Sequence, residues 1–292
     1  MKYHVNGELV PEDEATVSVR DRGFLYGDAV FETMRVYGGQ IFEWDAHENR
    51  LHDSAERLGF DNAVPDDLHE RARETIAANE LPEAYLRLTV SRGVQSRGLT
   101  PGEATEPTVV IQIGKLPRGG VDGESVWAEP ATVQIVKTRR APDVALPADA
   151  KTHNYLGGVL ARLELERAAT EQYRADEALL RDMDGHLVEG TTSNVFFVED
   201  GTFKTPSLDK PVLPGVTRSV VLDLAADERF PVETGEYVPA DVRSADEAFL
   251  TNSTWELRPI ERADGIAVGA GPVTELLTRL FDEYVERRQY QD

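Results

Sequence analysis

The chain has 292 residues, enough for a large core and two domains, and 40% of them are hydrophobic, so it is globular rather than disordered. Zero cysteines exclude disulfides, a thiolate nucleophile and cysteine-ligated zinc. Against 53 acidic residues stand 31 basic ones, and the net charge of −22 repels phosphate backbones and argues against a nucleic-acid partner.

The carboxylates are scattered, as in "PEDE", "VPDDLHE" and "FDEYVERR", which reads as a hydrated acidic surface of the kind adapted to high salt. No apolar run approaches a membrane span, and "MKYHVNGELV" lacks the basic and apolar regions of a secretory signal; the expectation is a cytoplasmic protein.

In chain order, "KYHVNGELVP" predicts two short strands joined at Asn6-Gly7. A helix follows "FEWD", with Asp45 and Glu48 as a capping box, Leu51, Ala55 and Leu58 as its apolar stripe, and Gly59 as its stop. A second helix is expected over 66–79. "AYLRLTVS" alternates, with Leu86, Leu88 and Val90 on one face and Tyr85, Arg87, Thr89 and Ser91 on the other. "PTVVIQI" reads as a buried strand, and the glycine-rich "GKLPRGGVDGES" as a linker.

The second half opens with the strand "TVQIVKT" and a loop that ends at Lys151. The helix after it carries Leu156, Leu160 and Leu163 at helical spacing. Two hairpins are expected at Asp184-Gly185 and Asp200-Gly201. Helices after Pro214 and from about Val273 to the C-terminus flank a last strand, "EAFLTN". The expected fold is α+β: a small N-terminal α/β domain (1–116), a linker (117–123), and a larger C-terminal domain (124–292) whose sheet is mainly antiparallel, with no string of βαβ units.

The six histidines form no HExxH motif or close ligand set, so no metal site is expected. There is no GxSxG elbow and no GxxxxGK[ST] loop, and "GVQSRGLTPG" follows a strand without opening a helix. Three segments keep two readings each. Lys151 is a solvated charge or a buried amine. The helix start after Pro214-Gly215 is an ordinary cap or a phosphate seat. Ser253-Thr254 form a turn or donate to an anion, and Glu189 is a solvated strand end or a buried acceptor for a protonated heterocycle.

Together, "RGFLYGDAVFETMRVYGG", "HENRLHDSAERLG", "KTHNYL", "VEGTTSNVFFV", "LPGVTR" and "EAFLTNST" occur in the order and at the intervals of the class IV (fold-type IV) pyridoxal-phosphate enzymes, and the chain resembles that family over nearly its whole length. The resemblance implies pyridoxal 5′-phosphate as cofactor, covalently linked to Lys151. Tyr155, four residues on and on the same helical face, would partner the phenolic oxygen, and Glu189 the pyridinium nitrogen. Arg50, Val216, Thr217, Ser253 and Thr254 would hold the phosphate. Tyr26, Phe31, Arg35, Tyr85, Arg87 and Arg97 would line the substrate pocket. The family also implies a homodimer acting on small amino acids and 2-oxo acids.

"NYL" after the lysine and Tyr26 resemble the branched-chain type, while "FETMR" replaces its "FEGIR". "SRGVQSRGL" resembles the arginine loop of D-amino-acid transaminases and aminodeoxychorismate lyases, with Leu99 where the D-type has histidine. The expected activity is amino transfer between a branched-chain or D-type amino acid and a 2-oxo acid. The alternatives are aminodeoxychorismate lyase, which releases pyruvate, and (R)-selective amine transaminase. A scaffold that has lost catalysis is disfavoured by the intact set Lys151, Tyr155, Glu189 and Arg50.

Overall fold

Asn6 and Gly7 take φ values of 50° and 97°, the geometry of a tight type I′ turn, and so pair β1 (Lys2–Val5) antiparallel with β2 (Glu8–Pro11). The computed structural model describes every residue except 105, 122, 123, 125, 270, 291 and 292. The chain divides into two units. The first comprises Met1–Arg118, Ala150–Asn154 and Val285–Asp292; the second comprises Gly119–Asp149 and Tyr155–Tyr284. The break at 118/119 lies within the expected linker, of which Asp122 and Gly123 fall outside the described residues. The first unit is not contiguous in sequence. Residues 150–154 belong to it because Thr152 bridges Val30, and Phe31 donates its amide to the Lys151 carbonyl.

The first unit continues through α1 (Arg22–Tyr26), β3 (Ala29–Tyr37), β4 (Gln40–Ile41), α2 (Trp44–Arg57), α3 (Leu68–Asn79), β5 (Ala84–Ser91) and β6 (Thr108–Lys115). Its antiparallel sheet runs β2-β1-β6-β5-β3-β4. The alternation expected in β5 is observed: Leu86, Leu88 and Val90 are buried among Val30, Met34, Leu51, Ala55 and Leu68. Gly59 takes φ 70° directly after Leu58, the C-terminal cap of α2. The expected capping box is displaced. α2 starts after Glu43, a left-handed residue whose side chain caps no amide, and Asp45 lies inside the first turn, where its charge still suits the helix dipole.

The second unit contains β7 (Ala131–Arg139), α4 (Leu156–Ala168), β8 (Glu177–Arg181), β9 (Leu187–Gly190), β10 (Asn194–Glu199), β11 (Thr202–Pro206), α5 (Val216–Asp227), β12 (Val232–Gly235), α6 (Pro239–Ser244), β13 (Glu247–Asn252), β14 (Glu256–Ala263), β15 (Ile266–Ala267) and most of α7 (Pro272–Gln289). Residues 291 and 292, included in the expected last helix, lie outside the described residues. The sheet order is β12-β11-β10-β13-β14-β7-β8-β9, with β15 on β14. Most pairs are antiparallel; β7 with β8, β7 with β14, and β11 with β12 are parallel. The α+β class is thereby observed, with α4 and α5 as crossovers between parallel neighbours.

Two expectations change here. "EAFLTN" is not the last strand: β14 follows it, although its sequence "ELRPIERA" reads as polar and contains a proline. Arg258 fits there because its guanidinium donates to the Glu129 carbonyl at 3.0 Å and meets Asp176 at 3.3 Å. In α4 the buried residues are Ala161 and Leu165, packed on β7 and β8, whereas Leu156, Leu160 and Leu163 are 69%, 49% and 42% exposed. Among the described residues no helix is long and apolar enough to cross a membrane.

Candidate active site

In the first unit the register of β3 on β5 sets Phe31 opposite Thr89, Thr33 opposite Arg87 and Arg35 opposite Tyr85. Directly paired residues share a face, so Phe31, Arg35, Tyr85 and Arg87 stand on the side away from the apolar core. Residues 151–153 run along the N-terminal part of β3. Phe31 N–H donates to Lys151 O at 3.0 Å, and His153 N–H donates to Ala29 O at 2.9 Å. Lys151 N–H donates to Ser54 Oγ of α2 at 2.9 Å, and Ser54 in turn donates to Arg50 O at 2.7 Å. The Lys151 backbone is thus held from two sides, and its Nζ lies 4.5 Å from the Phe31 ring centroid. Lys151 is half-buried, neither fully solvated nor sealed.

The Phe31 ring also receives the Arg87 guanidinium at 3.7 Å and the edge of His153 at 5.5 Å. Burial, then the positive charge of Arg87, pulls the His153 imidazole down to about 4, with Asp21 opposing weakly. Arg35 is buried, donates to the Pro117 carbonyl and lies over Tyr37, so its guanidinium anchors the end of this unit. Tyr26 ends α1, and its hydroxyl is 3.4 Å from the Gly98 amide. Arg97, one residue earlier, is exposed on a loop whose Gly98 and Leu99 carbonyls accept from Arg22.

Arg50 is buried beside two residues that the sequence did not single out. Its Nε donates to Glu32 Oε1 at 2.8 Å and its Nη2 to Oε2 at 2.5 Å, while His47 Nδ1 lies 2.7 Å from Oε2. Burial alone would raise the Glu32 carboxyl; the charge and hydrogen bonds of Arg50, and then His47, outweigh it and bring it down to about 2. Both partners lie inside motifs already quoted, "FETMR" and "HENRL", but neither motif reveals that the two meet.

In the second unit, Glu189 on β9 is buried. Its Oε2 accepts the Leu213 amide at 3.0 Å, and its Oε1 lies 3.0 Å from Arg140 Nε. The "GTTS" turn after it is pinned by Glu177, fully buried, which accepts from the Thr191 amide at 3.0 Å, the Thr191 hydroxyl at 2.6 Å and Arg162 at 2.8 Å. α5 begins at Val216 as expected. Its cap is Gly215, which has no side chain to take the first amides, and a Cβ there would collide with Asn194 Oδ1. Asn252 Oδ1 accepts from the amides of Thr254 and Trp255 and from the Thr254 hydroxyl, which shapes a turn; Ser253 is half-buried. Tyr155 is the half-buried cap of α4. It does not share a helical face with Lys151, because the helix starts only at Leu156 and Thr152 is drawn onto β3.

Residues 29–263 match the family model described as "Amino-transferase class IV". The chain belongs to the class IV aminotransferases. A putative branched-chain-amino-acid aminotransferase of Methanocaldococcus jannaschii is 38% identical over 99% of this chain and 96% of its own length. A D-alanine aminotransferase of Listeria monocytogenes is 32% identical, covering 98% and 97%. Among solved structures, the T.th. branched-chain amino acid aminotransferase with pyridoxamine 5′-phosphate matches with TM-score 0.87 and 30% identity, over 99% of this chain and 95% of that one. The 4-amino-4-deoxychorismate lyase of Pseudomonas aeruginosa matches at 0.81 and 29%, covering 99% and 100%.

This aminotransferase is therefore a pyridoxal-phosphate-dependent transaminase, and its donor groups suit that cofactor. It offers a half-buried amine, a buried carboxylate against an arginine, a buried arginine, and a helix start whose glycine cap admits no side chain.

Proposed function

We propose that this aminotransferase moves an amino group between a branched-chain amino acid and a 2-oxo acid, with Lys151 as the proton carrier. The observation that supports the role most directly is the fixed backbone of Lys151, hydrogen-bonded on one side to Ser54 and on the other to Phe31, with Nζ over the Phe31 ring. Bound pyridoxal phosphate supplies an electron sink for the pair left when the substrate's α-proton departs. Lys151 Nζ is the amine that would link the cofactor and carry that proton. Glu189, kept in place by Arg140 and the Leu213 amide, would hold a proton at the ring nitrogen. Tyr155 would donate to the phenolic oxygen. Arg50, the first amides of α5 at Val216 and Thr217, and the Ser253–Thr254 turn take the phosphate.

On the substrate side, Phe31 and Tyr85 present carbon surface suited to a branched side chain. Arg87 and Arg97 supply guanidinium groups for a carboxylate, and Tyr26 completes the set, with Arg35 buried and held on the Pro117 carbonyl. The branched-chain relative and Leu99 favour this substrate over a D-amino acid. Half-reactions with L- and D-amino acids test the choice, and a preference for D-alanine would overturn it. Similarity to the lyase structure supports a second reading, in which proton removal leads to loss of a leaving group; pyruvate release from aminodeoxychorismate would establish it. Lys151→Ala should remove both turnover and the visible absorbance of the linked cofactor, and a variant that keeps either would refute the role of Lys151.

The exposed apolar face of α4 supports a homodimer, expected to dissociate in Leu160→Glu as read by sedimentation equilibrium. Substrates of amino-acid metabolism and a chain without cysteine fit a cytoplasmic setting.

A further inference from the structure

We propose that Glu32, backed by His47, is the positioning residue for Arg50 and sets how tightly the protein holds the phosphate of its cofactor. This rests on the reading that Arg50 binds that phosphate. An arginine carries five N–H donors in a planar fork. Here one edge of the fork, Nε and Nη2, is spent on the two oxygens of a single carboxylate at 2.8 and 2.5 Å. Such a side-on pair fixes both the plane and the direction of the guanidinium. Without it a long side chain would have to be ordered by the ligand, at an entropic cost.

The carboxylate is itself immobile. Glu32 lies in the middle of β3, on the face whose neighbours Val30 and Met34 belong to the apolar core, and it is 1% exposed. His47, one turn before Arg50 on α2, approaches Oε2 at 2.7 Å. An ionised carboxylate only accepts, so the His47 ring proton sits on Nδ1. The strand therefore holds the carboxylate, the carboxylate holds the arginine, and the histidine locks the carboxylate plane. The same helix carries Ser54, which ties the Arg50 carbonyl to the Lys151 amide. The arm that takes the phosphate and the amine that takes the aldehyde are thus gauged from one element.

Two effects of removing Glu32 oppose each other. A buried negative charge beside a phosphate repels it, so Coulomb's law alone has Glu32→Gln binding more tightly. Loss of the fixed fork has it binding more weakly. The geometry points to the second, because Glu32 reaches both donors of one edge while the pair is closed off from water.

The test is binding of two probes, pyridoxal phosphate and phosphate-free pyridoxal, to the full chain stripped of cofactor. Glu32→Gln should weaken pyridoxal phosphate roughly tenfold or more, the scale of a lost charge-assisted hydrogen bond, and leave pyridoxal unchanged. In an Arg50→Lys background the same substitution should add little, since the fork it positions is gone. Unchanged or tighter binding of pyridoxal phosphate overturns the proposal, and so does equal weakening of both probes, which marks general damage. Wild-type protein that binds neither probe would instead overturn the cofactor reading, and this proposal with it. If Glu32→Gln does not fold, His47→Gln gives the same comparison: a smaller loss confined to the phosphorylated probe supports the proposal, and no loss overturns it.

Discussion

His153 offers a quantitative test of the packing around Lys151. Its imidazole sits edge-on to Phe31 and 3.4 Å from Thr89 Oγ1, and burial together with Arg87 holds it at about 4 against an ordinary 6.5. A histidine lowered in the folded state is neutral there while the unfolded chain already binds a proton. Well above pH 6.5 the histidine is neutral in both states and nothing is lost. As pH falls from about 6.5 towards 4 the unfolded state takes up protons that the folded state refuses, so stability falls. At about pH 5 the ratio of binding polynomials is roughly thirtyfold, a loss of about 2 kcal/mol relative to pH 7.5. The assay is urea unfolding of wild type and His153→Gln at both values. Other groups, including the buried His47, titrate in both proteins and cancel in the difference. Wild type should lose about 2 kcal/mol more than the variant. Equal losses would show that His153 titrates as in water, and would refute the account of Phe31, Arg87 and His153 as a packed cluster.

Glu189→Gln should keep cofactor uptake while turnover falls on the order of a hundredfold, because an amide cannot hold a proton at the ring nitrogen as a carboxylate does; unchanged turnover would remove Glu189 from that role. The net charge of −22 should make the melting temperature rise from low to molar salt as self-repulsion is screened, and a melt indifferent to salt would contradict an acidic surface adapted to high salt.

Local chemistry made much of the fold legible. Asn-Gly and Asp-Gly pairs need φ above zero and so mark tight hairpins wherever they separate apolar runs, as at Asn6-Gly7 and Asp200-Gly201. The period-two pattern of β5 could bury only one face. β14 escaped notice because its Arg258 finds partners far away in the chain, the Glu129 carbonyl and the Asp176 carboxylate. The stripe on α4 misled for the opposite reason. Helical spacing shows that Leu156, Leu160 and Leu163 share a side, but not what that side meets.

The candidate site follows the same division. The order and spacing of motifs picked out Lys151, Arg50, Glu189 and the start of α5 as candidates, because a chain carries the identity of its polar groups locally. What those groups rest against is non-local. Only the folded chain laid residues 151–153 along β3 instead of starting a helix at Lys151. Only the packing of α2 on β3 brought Glu32 to Arg50 and Ser54 to the Lys151 amide, and only the pairing of β8 with β7 on one side and β9 on the other set Arg140 against Glu189. A buried carboxylate or amide must find its partner wherever the fold supplies one, and no window of sequence contains that partner.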